Sequence, residues 1–526
     1  MDCAKVNFNA MPPSIDIPRE YNATVEFIDR HLPAGRGERL ALIDQNGSFT
    51  YADLAERVNR AGNALRDLGV EMETRIMLCL LDTADFPAAF WGAMKIGAVP
   101  IPVNTLLTSR DFDYMLRDSR ARVLMVSEPL YEKFAPILDG QPFLRHVIVA
   151  GADAHGHLHL ADLTAKASPR LEPAPTTADD VAFWLYTSGT TGGPKGAMHL
   201  HRDLVYTAAT YGVSVLGIEP DDLVFSAAKM FFAYGLGNSL TFPCYVGACT
   251  VALAGRPTPE SVMQVMREHQ PTIFYGVPTL YGAILADLEN NRDTGSQRLR
   301  MCVSAGEALP EEVGRRWEER FGAPILDGIG STEMLHIFLS NRPGDVHYGT
   351  TGKAVPGYEL RVVGEDGQDA PGGEIGELLV KGGSAAVAYW NKRDKSLASF
   401  QGVWTRTGDK YTRDESGYYH YCGRSDDMMK VSGQWVSPFE VESALVGHDK
   451  VLEAAVVGHA DEQGLVKPRA FVVLKDAKDT SEALAQELKA FVKGQLAPFK
   501  YPRWVEFVDE LPKTATGKIQ RFKLRA

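Results

Sequence analysis

"VAFWLYTSGTTGGPKG" (residues 181–196) sets an apolar run directly against a loop holding four glycines, four Ser/Thr hydroxyls and one lysine. A short apolar run bounded in this way reads as a buried strand. In the loop, glycines let backbone N–H groups approach an anion closely, and the hydroxyls add donors, so this composition is suited to phosphate. The nucleotide-binding pattern G-x-x-x-x-G-K-[ST] can be laid on Gly189 and Lys195. It fails twice, because Pro194 replaces the second glycine and Gly196 replaces the hydroxyl that would hold magnesium. The stretch is therefore a strand followed by a phosphate loop of another kind.

Working outward, the flanks alternate between helix-period and strand-like segments. Residues 50–69 place Leu54, Val58, Ala61, Leu65 and Leu68 on one helical face, and Gly69 closes the pattern. "RIMLCLL" (75–81) is followed by a helix-period stretch and a buried strand through residue 103, and "ARVLMVS" and "RHVIVAG" repeat the theme. Such alternation predicts layered α/β subdomains with mainly parallel sheets. Residues 204–215 predict a helix. Beyond Gly423 the composition shifts to two helices and three strands over about a hundred residues, a small α+β domain with its own core. The glycine-framed, charged stretch 423–433 marks the boundary, giving domains 1–425 and 426–526.

At 526 residues and 45% hydrophobic content the chain can bury a large core, and a net charge of -12 argues against a nucleic-acid surface. The six cysteines show no C-x-x-C and no metal-ligand rhythm, which suits thiols in a reducing compartment. No basic-then-apolar leader opens the sequence and no apolar stretch is long enough to span a bilayer, so a cytoplasmic, membrane-free protein is expected. His199 and Asp203 fit H-x-x-x-D, in which a histidine deprotonates a thiol or hydroxyl, but two fixed residues match by chance often. No G-x-S-x-G elbow lies near the loop.

Residues 187–196 fit T-S-G-[ST]-T-G-x-P-K-G at every fixed position, and "GSTE" (330–333), "TGD" (407–409), "GRSDDMMKVSG" (423–433) and "PKTATGK" (512–518) follow in order. These blocks resemble those of the adenylate-forming superfamily, which includes acyl-CoA synthetases, peptide-synthetase adenylation domains and beetle luciferases. The resemblance implies a large N-terminal domain and a small mobile C-terminal lid, with ATP, Mg²⁺ and coenzyme A as cofactor and co-substrates. It implies that Thr187, Ser188, Gly189, Thr190, Thr191, Gly192 and Lys195 hold the β- and γ-phosphates, that Thr332 touches the α-phosphate, and that Glu333 binds Mg²⁺. Gly306, Glu307, Asp327 and Gly328 fall on the adenine side, with Ile329 where many relatives carry an aromatic residue. Asp409 would meet the ribose with Arg424 beside it. Lys518 would bridge carboxylate and α-phosphate, Asp426 would be the lid hinge, and Ser432 and Gly433 would border the pantetheine channel.

Segment 229–243 carries Phe231, Phe232, Tyr234 and Phe242 but no acid, which argues against an amino-acid substrate. Together with residues 330–352 it resembles benzoate–CoA ligases and related aryl-CoA ligases. That likeness implies an acyl pocket of Ala233, Tyr234, Gly330, His336 and Ile337, and a small aromatic carboxylate as substrate. Benzoate leads; 2-amino-, fluoro- and 4-hydroxybenzoate come next, and a medium-chain fatty acid third. By the same analogy a lysine acetyltransferase and deacetylase would act on Lys518. Monomer and homodimer both remain open.

Overall fold

The computed structural model describes residues 1–187, 193–288, 293–425, 427–431, 434–461, 465–497, 499–513 and 519–525. The expected positions Ser188, Gly189, Thr190, Thr191, Gly192, Asp426, Ser432, Gly433 and Lys518 lie outside these residues.

Helix Tyr51–Asp67 shows how sequence becomes structure. Thr50 and Asp53 form a reciprocal capping box at its start, and Leu54, Val58, Ala61 and Leu65 are buried. Leu68 lies just past the helix as its C-cap, yet still packs on the same core.

Among the described residues, the strands around the helices form three large sheets. The largest has nine strands, with six parallel ones in the order Ile325–Gly330, Met301–Ser304, Ile273–Gly276, Leu223–Ser226, Cys249–Val251 and Leu40–Asp44. Antiparallel strands finish both ends, and Ile337–Ser340 pairs with Ile325–Gly330 in a hairpin. A second sheet of five parallel strands runs Val99–Pro102, Arg75–Cys79, Val123–Ser127, His146–Ala150 and Leu158–His159. The expected α/β layering with parallel sheets is thus present. The third sheet, from Glu359–Val363 through Tyr419–Arg424, is antiparallel throughout. Alternating apolar residues such as Leu378 and Val380 bury one of its faces and leave the other half exposed.

The C-terminal residues build a separate core. Helices Pro438–Val446 and Glu482–Gln495 pack on strands Val451–Ala460, Val466–Leu474 and Trp504–Phe507, enclosing Val441, Leu445, Val456, Val472, Leu488 and Val492.

Residues 204–215 depart from expectation. The α-helix His201–Thr207 passes into a π-helix over Ala208–Val213, and a second π segment, Gly237–Thr241, interrupts helices Ala233–Leu236 and Phe242–Val246. Such widened turns recur at functional sites. Here both lie against the same histidine, His336.

Candidate active site

Two described strands flank the phosphate loop in sequence. Strands Val181–Thr187 and Lys195–Leu200 are antiparallel, with Thr187 opposite Lys195. The two strand ends are tied down by Tyr186, whose hydroxyl donates to Asp118 Oδ2 at 2.8 Å, and by Tyr114, whose hydroxyl donates to Pro194 O at 3.1 Å. Neither tyrosine carries a sequence signal, because these contacts join distant segments.

Lys195 Nζ lies 4.2 Å from the ring centroid of Tyr389. The Tyr389 hydroxyl donates to Glu333 Oε1 at 2.6 Å. Burial lowers the pKa of the Lys195 ammonium, and the Glu333 carboxylate opposes that shift. Asp409 and Arg424 face each other across adjacent strands, with Arg424 Nη1 3.1 Å from Asp409 Oδ1. The Asp409 carboxylate is the main cause of the raised Arg424 pKa, and Glu333 adds to it. Thr187, Lys195, Glu333, Asp409 and Arg424, far apart in sequence, are thereby gathered into one electrostatic neighbourhood with Tyr389. Sequence reasoning missed Tyr389.

Asp327 ends the parallel part of its strand and is buried, and desolvation pushes its carboxyl up to about 8. Its Oδ1 and the neighbouring Ser304 Oγ are buried without a well-formed hydrogen bond. Gly306 turns the adjacent loop with φ +97°, a backbone conformation that favours glycine. Buried polar atoms in this state need a partner, so the residues fit a nucleobase bearing donors. Gly328 pairs with Ser340 in the hairpin. Glu307 Oε1 accepts the backbone N–H of Ile519 at 2.9 Å, which brings the residue following Lys518 across to this loop. The C-terminal segment is also anchored by Arg521, paired with both carboxylate oxygens of Glu442 at 3.0 and 2.7 Å.

For a metal, the described residues contain no cluster of three or more candidate ligands. Magnesium is commonly held by one or two carboxylates plus substrate phosphates and water, so Glu333 alone fits that mode.

The expected acyl-pocket residues come together around His336. Its Nε2–H lies 3.2 Å from both Tyr234 O and Asn238 Oδ1. Its ring is 5.7 Å from Tyr234, 5.3 Å from Tyr211 and 4.5 Å, edge-on, from Phe242. Burial pushes the imidazole down to about 3, so it is neutral. The Tyr234 hydroxyl is spent on the backbone, donating to Val303 O at 3.0 Å and Gly276 O at 3.2 Å. Ala233 precedes Tyr234 at the helix start, and Ile337 is buried opposite Gly330. A Cβ at Gly330 would stand 2.5 Å from the carbonyl oxygen of His336, so the hairpin itself requires the glycine. Ile329 is half-buried and packs on the large core. Tyr211 and Asn238 escaped sequence reading: Tyr211 lies within a stretch that reads only as a helix, and Asn238 within a segment read for its aromatic residues.

No acid lies within 229–243, but the fold brings one to that segment. Buried Asp82 accepts the Met230 N–H at 3.3 Å, and burial pushes its carboxyl up to about 6 against the opposing charge of Lys229. The H-x-x-x-D pair is also formed, with His199 Nδ1 2.9 Å from Asp203 Oδ2. Both residues are fully buried and the other imidazole nitrogen meets a backbone carbonyl, so no lone pair is free for general-base work.

Residues 30–390 match the AMP-binding enzyme family, and residues 440–518 match the AMP-binding enzyme C-terminal domain. The chain is 59% identical to a benzoate–CoA ligase of Thauera aromatica over 98% of both chains. It is 52% identical to a 4-hydroxybenzoate–CoA/benzoate–CoA ligase of Rhodopseudomonas palustris, covering 96% of this chain and 94% of that one. Among solved structures, a benzoate CoA ligase from Burkholderia xenovorans LB400 superposes with a TM-score of 0.90 at 52% identity, over 96% of this chain and all of that one. With family agreement across most of its length and a site of the expected composition, the chain belongs to the AMP-binding enzymes, the adenylate-forming group that its loop resembles.

Proposed function

We propose that this chain is an ATP-dependent benzoate–CoA ligase. A benzoate oxygen attacks the α-phosphorus of ATP, an O–P bond forms, and the bridging oxygen leaves with pyrophosphate. The thiol sulfur of coenzyme A then attacks the acyl carbon, the C–O bond breaks and AMP departs. The observation that carries this reading is the hairpin Ile325–Ser340, which presents Glu333 to the phosphate neighbourhood and, three residues on, His336 to an aromatic box. Apolar and aromatic walls of this kind suit a flat ring.

In the same reading, residues 187–192 and Lys195 hold the β- and γ-phosphates, Thr332 the α-phosphate, and Gly306, Glu307, Asp327 and Gly328 the adenine. Asp409, oriented by Arg424, takes the ribose hydroxyls. Glu333 holds Mg²⁺, which supplies charge neutralisation for the phosphates. Lys518 bridges the two reacting anions, and the Glu307–Ile519 bond supports that placement. Residues 426–526 act as a lid turning about Asp426, with Ser432 and Gly433 beside the pantetheine arm; the separate C-terminal core supports this division. Acetylation of Lys518 removes the bridging charge and silences adenylation. No helix among the described residues is long and apolar enough to cross a membrane, and the six cysteines are free thiols, which supports a cytoplasmic setting.

A second reading within the class has its own support. His336 Nδ1, Asn238 Nδ2 and the Tyr211 hydroxyl are buried around the box without a well-formed hydrogen bond. A hydroxyl or amino substituent on the ring would satisfy one of them. The deciding experiment is acid-dependent ATP–pyrophosphate exchange without coenzyme A, run with benzoate, 4-hydroxybenzoate, 2-aminobenzoate and hexanoate, and then with coenzyme A added. Exchange and thioester formation with benzoate are expected; exchange with hexanoate alone would overturn the aryl assignment.

A further inference from the structure

Glu333 and Thr332 sit on a single 3-10 turn, Thr332–Met334, between two strands. So short a turn closes few of its own hydrogen bonds and does not hold its shape unaided. Here its three consecutive carbonyls are each gripped from outside. Thr332 O meets His199 Nε2 at 2.7 Å, Glu333 O accepts the Ala386 N–H at 2.7 Å, and Met334 O accepts the Ser384 hydroxyl at 2.8 Å. The Ser384 oxygen is in turn oriented by the Tyr358 hydroxyl at 2.7 Å.

We propose that His199, oriented by Asp203, is a positioning residue for adenylation, setting the location of Thr332 and Glu333 through the Thr332 carbonyl. A carbonyl only accepts, so Nε2 carries a proton. One proton lies between Nδ1 and Asp203 Oδ2, and either placement leaves Nε2–H intact. Asp203 Oδ2 also accepts the Leu200 N–H at 3.0 Å, which fixes the carboxylate. The Phe183 ring stacks on the imidazole at 5.4 Å and 22°, so rotation is blocked. Burial raises the Asp203 pKa while the histidine opposes that shift, as a tightly held pair requires. His199 touches none of the reacting atoms. It acts at the far side of the turn.

The proposal rests on the reading that Thr332 and Glu333 meet the reacting phosphate, and the test separates the two. His199→Gln keeps an N–H in the place of Nε2, whereas His199→Asn keeps one only in the place of Nδ1. In benzoate-dependent ATP–pyrophosphate exchange, His199→Asn is expected to lower kcat by about 10- to 100-fold with the benzoate KM within about 2-fold, while His199→Gln stays within about 3-fold of wild type. Ser384→Ala, which loosens the same turn from the other side, is expected to lower kcat in the same way and reports if His199→Asn does not fold. Wild-type kcat in H199N, or equal losses in H199N and H199Q at equal melting temperature, overturns the proposal. Glu333→Gln tests the underlying reading: loss of exchange there with a normal His199→Asn refutes the positioning role alone.

Discussion

Gly237 opens the second π segment, and a methyl group there has nowhere to go. A Cβ would lie 2.2 Å from His336 Cδ2, 2.5 Å from Nε2 and 3.0 Å from Phe242 Cζ. To regain 3.4 Å, the near edge of van der Waals contact, the imidazole must retreat by about 1.2 Å. That motion breaks the 3.2 Å contacts of Nε2 with Tyr234 O and Asn238 Oδ1 and drives the ring into the box. Overpacking of this kind costs about 1–3 kcal/mol, and losing the histidine hydrogen bond adds about 0.5–1.5 kcal/mol. Gly237→Ala is therefore expected to destabilise the N-terminal core by about 2–4 kcal/mol and to raise the benzoate KM at least about 10-fold, a change of roughly 1.4 kcal/mol in binding. Gly282→Ala is the control. Its Cβ would meet nothing within 4 Å in helix Pro278–Asp287, so it is expected to stabilise by about 0.5–1 kcal/mol. Urea titration followed by tryptophan fluorescence gives the shift in the main transition, and pyrophosphate exchange gives KM. If both variants move stability the same way, or Gly237→Ala leaves KM unchanged, then His336 does not wall the acyl pocket as described.

Lys518→Ala is expected to slow adenylation by about 10²–10³, or 2.7–4 kcal/mol, as for other positioned donors to a developing charge; single-turnover formation of the adenylate measures it, and a wild-type rate removes the lysine from the reaction. Asp426→Pro, which fixes a backbone torsion at the hinge, is expected to spare pyrophosphate exchange and to cripple thioester formation. Equal loss of both would signal misfolding instead. A pH dependence of stability follows from His201, which is fully buried, accepts the Ala23 N–H at Nδ1 and is pushed down to about 4 by desolvation. A depressed pKa means the folded state binds fewer protons, so stability is complete above 6.5, the ordinary value, and is lost as pH falls toward 4. Each such group costs about 1.4 kcal/mol per pH unit in that window. His201→Asn is expected to flatten the fall in melting temperature between about pH 6 and pH 4.5 by one proton's share, and an unchanged slope would refute the assignment.

Much of this protein is determined by local sequence. The periodicity of residues 50–69 and the short apolar runs specify their elements because the 3.6- and 2-residue periods are properties of the backbone alone. The phosphate loop and the "GSTE" block are legible because glycine, hydroxyl and carboxylate chemistry at fixed spacing has few other uses. The small C-terminal α+β unit is visible for the same reason, as helices and strands with a core of their own. What tertiary structure decided is how the segments meet. The π turns of Ala208–Val213 and Gly237–Thr241 leave no trace in periodicity, since both segments are buried nearly all round and no polar face marks the extra residue, yet they set Tyr211, Asn238 and Gly237 against His336. Tyr389 finds Glu333 and His199 finds Thr332 across segments that share no local pattern. Gly330, one of the residues expected in the acyl pocket, is also demanded by the carbonyl of His336. Residue types at one spacing fix what chemistry a chain can perform; only packing between distant segments fixes where each group is held while it acts.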